Sequence, residues 1–507
     1  MHLNHLKLKS HPLFPLIQSL SKSEKRHFKL TQPYGKSQYI QLFDRIEKAN
    51  KIDEGQLLRP FAANQQAVLK NQLFHKVLDS LVQQYEEEHI YGGLQLLIQK
   101  SDILYQRKQF HASEQLLKKA VKKAKKYELF ETLITIYQRL KRLYIFILGV
   151  GERAHHIQGF WELEQKVLAQ LSNLREMEWL SMQVFDWYYR HHYATTEEEK
   201  EAYYQLVKHP LLQDIQQAQS FSARVIFLNT WGLFNDCIGE KKACVACRAD
   251  LIALYQDHPH FIQERATQYL AVFNNWLLGL IHLKAYEQAL LALEQVLLFP
   301  EQLGRALKGE EEVMWFRLYH SLRLELYIRR GAFEVAIGTI AETMEEMERL
   351  GKKLNEVFKL PFYYFFAYAF FAVEKYEEGL DWLDPLIHMD DLSFRSELFR
   401  FARLLHLALH YELGNMELLS ALCRSTRRYF KKSGKLHPLE QYLLEFWHKA
   451  PHEDTKLAFL HLSQELKHLA TDMDASTQLH HFHYLAWCEG HIHGRSFRHC
   501  YGVAISD

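Results

Sequence analysis

Cysteine and histidine are the residues of this chain whose spacing comes nearest to chemistry. Cys244-Val-Ala-Cys247 has the spacing of a redox or metal pair, because two thiols three residues apart can meet each other or a shared ion. A structural zinc site needs four ligands, and the sequence holds no second pair, so these two cysteines read as helix core. The carboxy-terminal stretch gathers His480, His481, His483, Cys488, His491, His493, His499 and Cys500. Imidazole and thiolate are good zinc ligands, but this spacing matches no ordered finger, and no metal is assigned to it. Gly149–Ala154, GVGERA, matches G-x-G-x-x-A, a pattern that binds dinucleotides only when a buried strand precedes it. The apolar residues ahead of it recur every three or four positions, so it reads as a glycine-broken helix end. H-E-x-x-H, G-x-S-x-G, the P-loop and the kinase signatures are absent. The expectation is a protein that is not an enzyme and carries no cofactor.

Charge supplies a second kind of candidate. Residues 1–150 hold 25 Lys+Arg against 13 Asp+Glu, and the remainder 37 against 48, so a basic first third precedes an acidic body. Lys22, Lys25, Arg26 and Lys29 gather on one short helix, and Lys118, Lys119, Lys122, Lys123, Lys125 and Lys126 on another. Like charges four residues apart disfavour an isolated helix by a few tenths of a kcal/mol per pair. Packing must therefore hold the second helix, unless an anion compensates it. The partners this implies are an acidic protein or nucleic acid at the amino-terminal third. Clustered lysines attract phosphate but do not read bases, and no DNA- or RNA-reading motif is legible.

These residues must be carried by helices. Of 507 residues, 48% are hydrophobic and 24% charged, while Gly (21) and Pro (11) are scarce; few breakers and few alternating runs predict an almost all-α chain. Six cysteines are too few for a disulfide scaffold and fit a reducing compartment. The amino terminus lacks an uninterrupted apolar core of the signal-peptide kind. The most apolar stretch, Leu360–Val373, is 14 residues long, too short to span a bilayer. No membrane partner is expected, and the cytoplasm is the default location.

The order of elements follows from caps and breakers. Ser21-Lys-Ser-Glu24 is a capping-box pattern opening a helix that Pro33 and Gly35 break. Helical spacing resumes over 38–48 and 67–85, and Gly92-Gly93 marks a boundary. Helices are predicted over 94–108, 111–127, 129–148, 160–171 and 178–193, the last rich in aromatics. Thr196-Glu-Glu-Glu199 is another capping box, 222–237 and 243–255 make a hairpin around Gly239, and 454–472 a last helix. Leu360–Val373 reads as core.

One figure recurs along this order. In Glu325–Ile340, ELYIRRGAFEVAIGTI, a helix ends at a Gly331 turn and a second opens with Phe333, Ala336 three on and Ile340 seven on. It repeats at Phe110/Ser113/Leu117, Tyr286/Ala289/Leu293 and Tyr376/Gly379/Leu383, and more loosely at Met416/Leu419/Cys423. Helical hairpins that cannot bury their apolar faces alone must stack on one another. The chain thus divides into a basic helical domain (1–90), a repeat array (91–449, degenerate between 128 and 259) and a helix with a His/Cys-rich tail (450–507).

The hairpin resembles the tetratricopeptide repeat over about 91–127 and 260–432. Gly331 falls on that family's turn glycine and Tyr327 on its first-helix aromatic. Ala367 and Phe370 take the small and aromatic positions of the next copy, and Gly414 the turn of the last. From 286 to 416 the figure recurs at intervals of 47, 43 and 40 residues. These exceed the family's length of about 34 and fall in the HEAT range, so the broader α-solenoid class is the better frame. The resemblance implies a superhelical array that binds a protein or peptide on its concave face, with no chemistry. On the family register Asn275 lies where an amide often bonds a bound peptide backbone, which makes Asn274 and Asn275 the groove candidates.

Overall fold

With so few helix breakers, the chain folds into long helices, and no strand occurs among the described residues of the computed structural model. These are residues 11–31, 37–49, 53–194, 196–389, 396–434, 436–449, 454–469 and 481–506. Pro33, Gly35 and His480 lie outside them, as does the amino-terminal segment 1–10. No described helix is long and apolar enough to cross a membrane.

The contacts divide the chain into two units: residues 1–176 with 219–222, and residues 177–218 with 223–507. In the first unit, α1 (Leu13–Ser19), α2 (Lys22–Thr31), α3 (Gln38–Lys48), α4 (Glu54–Leu58) and α5 (Gln66–Glu88) enclose one core. Leu13, Phe14, Phe28, Phe43, Leu73 and Val77 pack there. The capping box forms: the Ser21 N–H donates to Glu24 Oε2 at 2.6 Å and the Glu24 N–H to Ser21 Oγ at 3.2 Å. A second core, around Leu94, Leu117, Phe130, Ile136 and Leu140, lies among α6 (Ile90–Gln106), α7 (Phe110–Lys126), α8 (Phe130–Ile147) and the first half of α9 (Val150–His191). The break expected at Gly92-Gly93 falls instead at His89, whose extended backbone separates α5 from α6. The glycines sit in the first turn of α6, and Gly92 is buried there.

The second unit continues through α10 (Glu197–Val207), α11 (Phe221–Cys237), α12 (Lys241–Gln256), α13 (Pro259–Glu264), α14 (Ala266–His282) and α15 (Tyr286–Gln302). There follow α16 (Glu310–Arg329), α17 (Phe333–Gly338), α18 (Ile340–Leu350), α19 (Leu360–Ala372) and α20 (Tyr376–His388). Then come α21 (Ser396–Glu412), α22 (Met416–Ser433), α23 (Pro438–Lys449), α24 (Thr455–Leu469) and the terminal helices Tyr484–His493 and Phe497–Ser506. From α12 to α18 and from α19 to α24 consecutive helices pack on each other, and α14 on α16, α16 on α19, α19 on α21 and α21 on α23 also touch. The aromatic run 360–373 is core, with Phe362, Tyr364, Phe366, Ala367 and Phe371 at most 2% exposed.

One turn joins many of these pairs. Lys108, Glu128, Gly239, Lys284, Gly331, Glu374 and Gly414 all have positive φ, between 53° and 83°. Each lies two residues before the next helix begins. In each turn this residue's N–H bonds the carbonyl three residues back, and the following N–H the carbonyl five back. That is the Schellman arrangement, which satisfies carbonyls left open at a helix end. Three residues into the following helix stands a buried, mostly small side chain: Ser113, Cys244, Ala289, Ala336 and Leu419 are at most 2% exposed. At Gly379 an added Cβ would stand 3.0 Å from Leu409 Cδ2 and 3.4 Å from the Ala367 carbonyl, so the small residue sets how closely the helices approach.

The carboxy-terminal residues are not a tail. Phe482, Tyr484, Trp487, Phe497 and Tyr501 belong to the core of the second unit. Their rings lie against Phe333, Tyr368, Phe371 and Tyr411. The aromatic content is what buries this segment, and its histidines occupy the margins.

Candidate functional site

Asn274 and Asn275 stand on α14, whose opposite face buries Tyr269, Leu270, Phe273 and Leu277. Asn275 is exposed and Asn274 half-buried. The Asn274 amide donates to Asn275 Oδ1 at 3.3 Å, and Arg248 of α12 donates to the Asn275 main-chain carbonyl at 2.9 Å. Gly279 allows this approach, since a Cβ there would meet Val245 Cγ2 at 2.6 Å. Arg248 also lies 3.7 Å from Asp236. At the last residue of α14, His282 is 4.0 Å from Glu325, which pairs with Arg329 at 3.5 Å. Burial pushes the Glu325 carboxyl above its ordinary range, against the pull of Arg329. These groups offer amide, guanidinium and carboxylate contacts at one edge of the unit.

The two basic clusters belong to the first unit but to different layers. α2 packs on α5, whereas α7 packs on α6 and α8. Lys29 is neutralised within the fold, 2.8 Å from Asp44 and 2.7 Å from Glu47. Lys22, Lys25 and Arg26 make no ion pair among the described residues. On α7, Lys118 pairs with Glu114 at 2.7 Å, and Lys126 lies 5.4 Å from the centre of the Tyr127 ring. Lys119, Lys122, Lys123 and Lys125 have no carboxylate partner among the described residues. Leu117, Ala120 and Ala124 anchor the helix from behind.

A run of exposed apolar side chains lies on the second half of α9, which reads in sequence only as an aromatic-rich helix. Met177, Leu180 and Val184 face the core, whereas Trp179 (61%), Met182 (63%), Phe185 (52%) and Tyr189 (68%) face solvent. Their spacing of three, three and four puts the second set on one stripe, and the Phe185 and Tyr189 rings are 5.2 Å apart. The legible signal was apolar residues at both phases of the helical period; neither phase alone says which is buried.

Cys244 and Cys247 lie within α12 and are free thiols. Cys244 takes the buried position three residues into its helix, and burial pushes its thiol up to about 11, which favours the protonated form. Among the described residues, no three His, Cys, Asp or Glu side chains are grouped to hold a metal. His483 and His491 serve the fold. His483 Nδ1 accepts the Ala486 N–H at 3.0 Å and His491 lies 2.7 Å from Glu412. Gly149 lies between α8 and α9, and 150–154 are the first residues of α9, so helix rather than strand precedes the motif. Compared with models of known families and with curated proteins, the sequence matches none.

Proposed function

We propose that this chain is a non-enzymatic scaffold of the α-solenoid type that binds a protein or peptide. The observation that carries the reading is the stripe Trp179, Met182, Phe185 and Tyr189, each more than half exposed. Trp and Tyr dominate the energetics of protein interfaces, and a contiguous exposed apolar face is uncommon on a monomer without a partner. The repeated Schellman turn and the buried small residue after it support the tetratricopeptide-like reading of the hairpins. Under that reading Asn274 and Asn275 lie on the concave side.

A photo-crosslinking residue placed at Tyr189 or Asn275 of the full chain tests this in cells. Adducts of defined mass are expected from these positions and not from Glu348, an exposed control outside both candidate surfaces. Adducts only at the mass of two chains would replace a partner protein with self-association. Equal labelling at all three positions would remove the reading.

The four unpaired lysines of α7 favour a second one, an acidic protein or nucleic acid held at the first unit. Phosphate contacts release counterions, so nucleic-acid binding should weaken steeply between about 50 and 200 mM salt. Failure of the full chain to retain DNA or RNA at the lower salt leaves the acidic protein.

A further inference from the structure

His406 and His410 stand four residues apart on α21, so their side chains share one face of the helix. Both are half-buried, within reach of solvent. Their Nε2 atoms approach to 3.2 Å. The ring planes cross at 81°, and the ring centres lie 4.5 Å apart. A straight N–H···N bond of that length would set the rings end to end, with centres about 5.5 Å apart. The contact is therefore bent, and the accepting lone pair is poorly used. Bonds of about 2.0–2.1 Å to one tetrahedral ion place two ligand nitrogens about 3.3 Å apart. The observed separation is that of two imidazoles on a shared ion.

The surroundings keep both rings in the ligating form. No carboxylate bonds either imidazole among the described residues. Burial, with His410, Arg403 and His388 nearby, pushes the His406 pKa down to about 3, and burial also lowers that of His410. Both are neutral at pH 7, so each keeps one nitrogen free of a proton. The neighbouring basic groups are engaged elsewhere. The Arg403 guanidinium lies 3.7 Å from the centre of the Tyr429 ring and donates to the Phe399 and Ile387 carbonyls; His388 is 2.9 Å from Asp384. His410 is in the last turn of α21, where helix polarity favours a cation. Asn415, just ahead of α22, does not cap that helix with its side chain. Its amide lies instead 3.1 Å from His410 Nδ1. With the amide oxygen toward the ring, Asn415 accepts the Nδ1 proton and leaves Nε2 to a metal, the outer support that ligating histidines ordinarily have.

We infer that His406 and His410 bind one divalent ion of the kind that favours imidazole (zinc, copper or nickel) through both Nε2 atoms, with Asn415 orienting His410. Water fills the remaining positions. Two protein ligands make an exchangeable site, not a structural one, which takes four. The inference does not rest on the α9 stripe or on the solenoid reading.

Calorimetric titration of the full chain with zinc, and separately with magnesium, tests it. Zinc should bind here, and magnesium, which prefers oxygen ligands, should not. Asn415→Ala should lower zinc affinity about tenfold, the scale of an outer partner, and His406→Gln or His410→Gln at least as much. Because one ion spans both rings, the double variant should lose little beyond either single one. His461→Gln, at an exposed histidine of α24, should leave zinc binding unchanged. Zinc should also raise the melting temperature of the unaltered chain, and lose that effect in the two histidine variants. Melts without metal show whether a variant is folded, and the exposed Asn415 keeps the test open should a histidine variant unfold. Equal heats for zinc and magnesium, unchanged zinc affinity in either histidine variant, or losses that simply add between the two would overturn it.

Discussion

Arg400 and Glu440 form the most deeply buried ion pair described, with side chains 6% and 5% exposed. Arg400 also donates to the Phe430 carbonyl at 3.3 Å, and Glu440 accepts the His437 N–H at 2.9 Å. The pair therefore ties α21 to α22 and to the start of α23. Arg400→Leu leaves a buried carboxylate unpaired and should cost about 3–5 kcal/mol. Adding Glu440→Leu should recover much of that, since an apolar pair of similar size replaces a buried ion pair at little net cost. Urea unfolding of the single and double variants measures the difference; a double variant no more stable than the single would contradict the argument. His320 acts through pH. It is 2% exposed, lies 3.2 Å from Thr343 Oγ1, and burial together with nearby Arg323 holds its pKa down to about 3. The unfolded chain binds this proton below about pH 6.5, whereas the native imidazole does so only near pH 3. Stability is therefore complete above pH 6.5 and falls as pH drops through that window, by up to about 1.4 kcal/mol per unit from this group. His320→Gln should flatten the dependence of the urea midpoint between pH 7.5 and 5.5. An unchanged slope would mean that other groups set it.

The turn governs the element scale. Glycine enters the left-handed region at no steric cost, whereas other L-residues pay about 1–2 kcal/mol there. Gly331→Ala should therefore destabilise by about 1 kcal/mol or more, while Lys284→Gly and Glu374→Gly should stabilise by a few tenths to about 1 kcal/mol. Thermal melts of the three variants report the sign; a stabilised Gly331→Ala would show that the turn does not require that conformation. Glu128 is the instructive exception, because its carboxylate caps α11, and Glu128→Gly would lose those bonds. This difference also explains how much of the fold was legible. Hairpins with glycine turns at Gly239, Gly331 and Gly414 could be placed from sequence, as could the capping boxes at Ser21 and Thr196. The α7–α8 turn repeats the same backbone; helical spacing places its break at residue 128, but a glutamate there does not announce the left-handed conformation. Nor could α9 be read as one helix of 42 residues, because Ser172 and Asn173 resemble a break. The buried Asn173 side chain instead accepts the Gln219 N–H at 3.0 Å, a pairing 46 residues distant that no local pattern reveals. Candidate sites were less legible still, since residue type gave the basic and amide groups but their partners come from other helices.

Across the whole chain, the basic first third and acidic remainder are plain in composition, but the role of the last residues is not. Their His and Cys content suggests a tail, whereas burial depends on aromatics whose partners lie 75 to 172 residues earlier, as in Trp487 donating to Glu412 at 2.5 Å and Tyr501 to the Arg329 carbonyl at 3.5 Å. Tyr364 likewise donates to the His481 carbonyl at 3.0 Å, and the Tyr368 hydroxyl accepts the His483 N–H at 3.2 Å. Residues 481–506 thus meet α16, α17, α19 and α21. A chain ending at residue 480 would uncover Phe333, Tyr368, Phe371 and Tyr411 together. Each large side chain returned to water costs about 1.5–3 kcal/mol, and 1 kcal/mol shifts the melting temperature of a 150–250-residue domain by about 2–4 °C. The second unit should therefore melt lower by on the order of 10 °C or more. It should also bind a dye that reports exposed apolar surface. A synthetic peptide spanning 481–507, added in trans, should reverse both effects in proportion to its concentration, because a ligand that binds only the folded state raises stability by mass action. A truncated chain with an unchanged melting temperature and no dye binding would show that these helices are an appendage and that the rings beneath them pack without them.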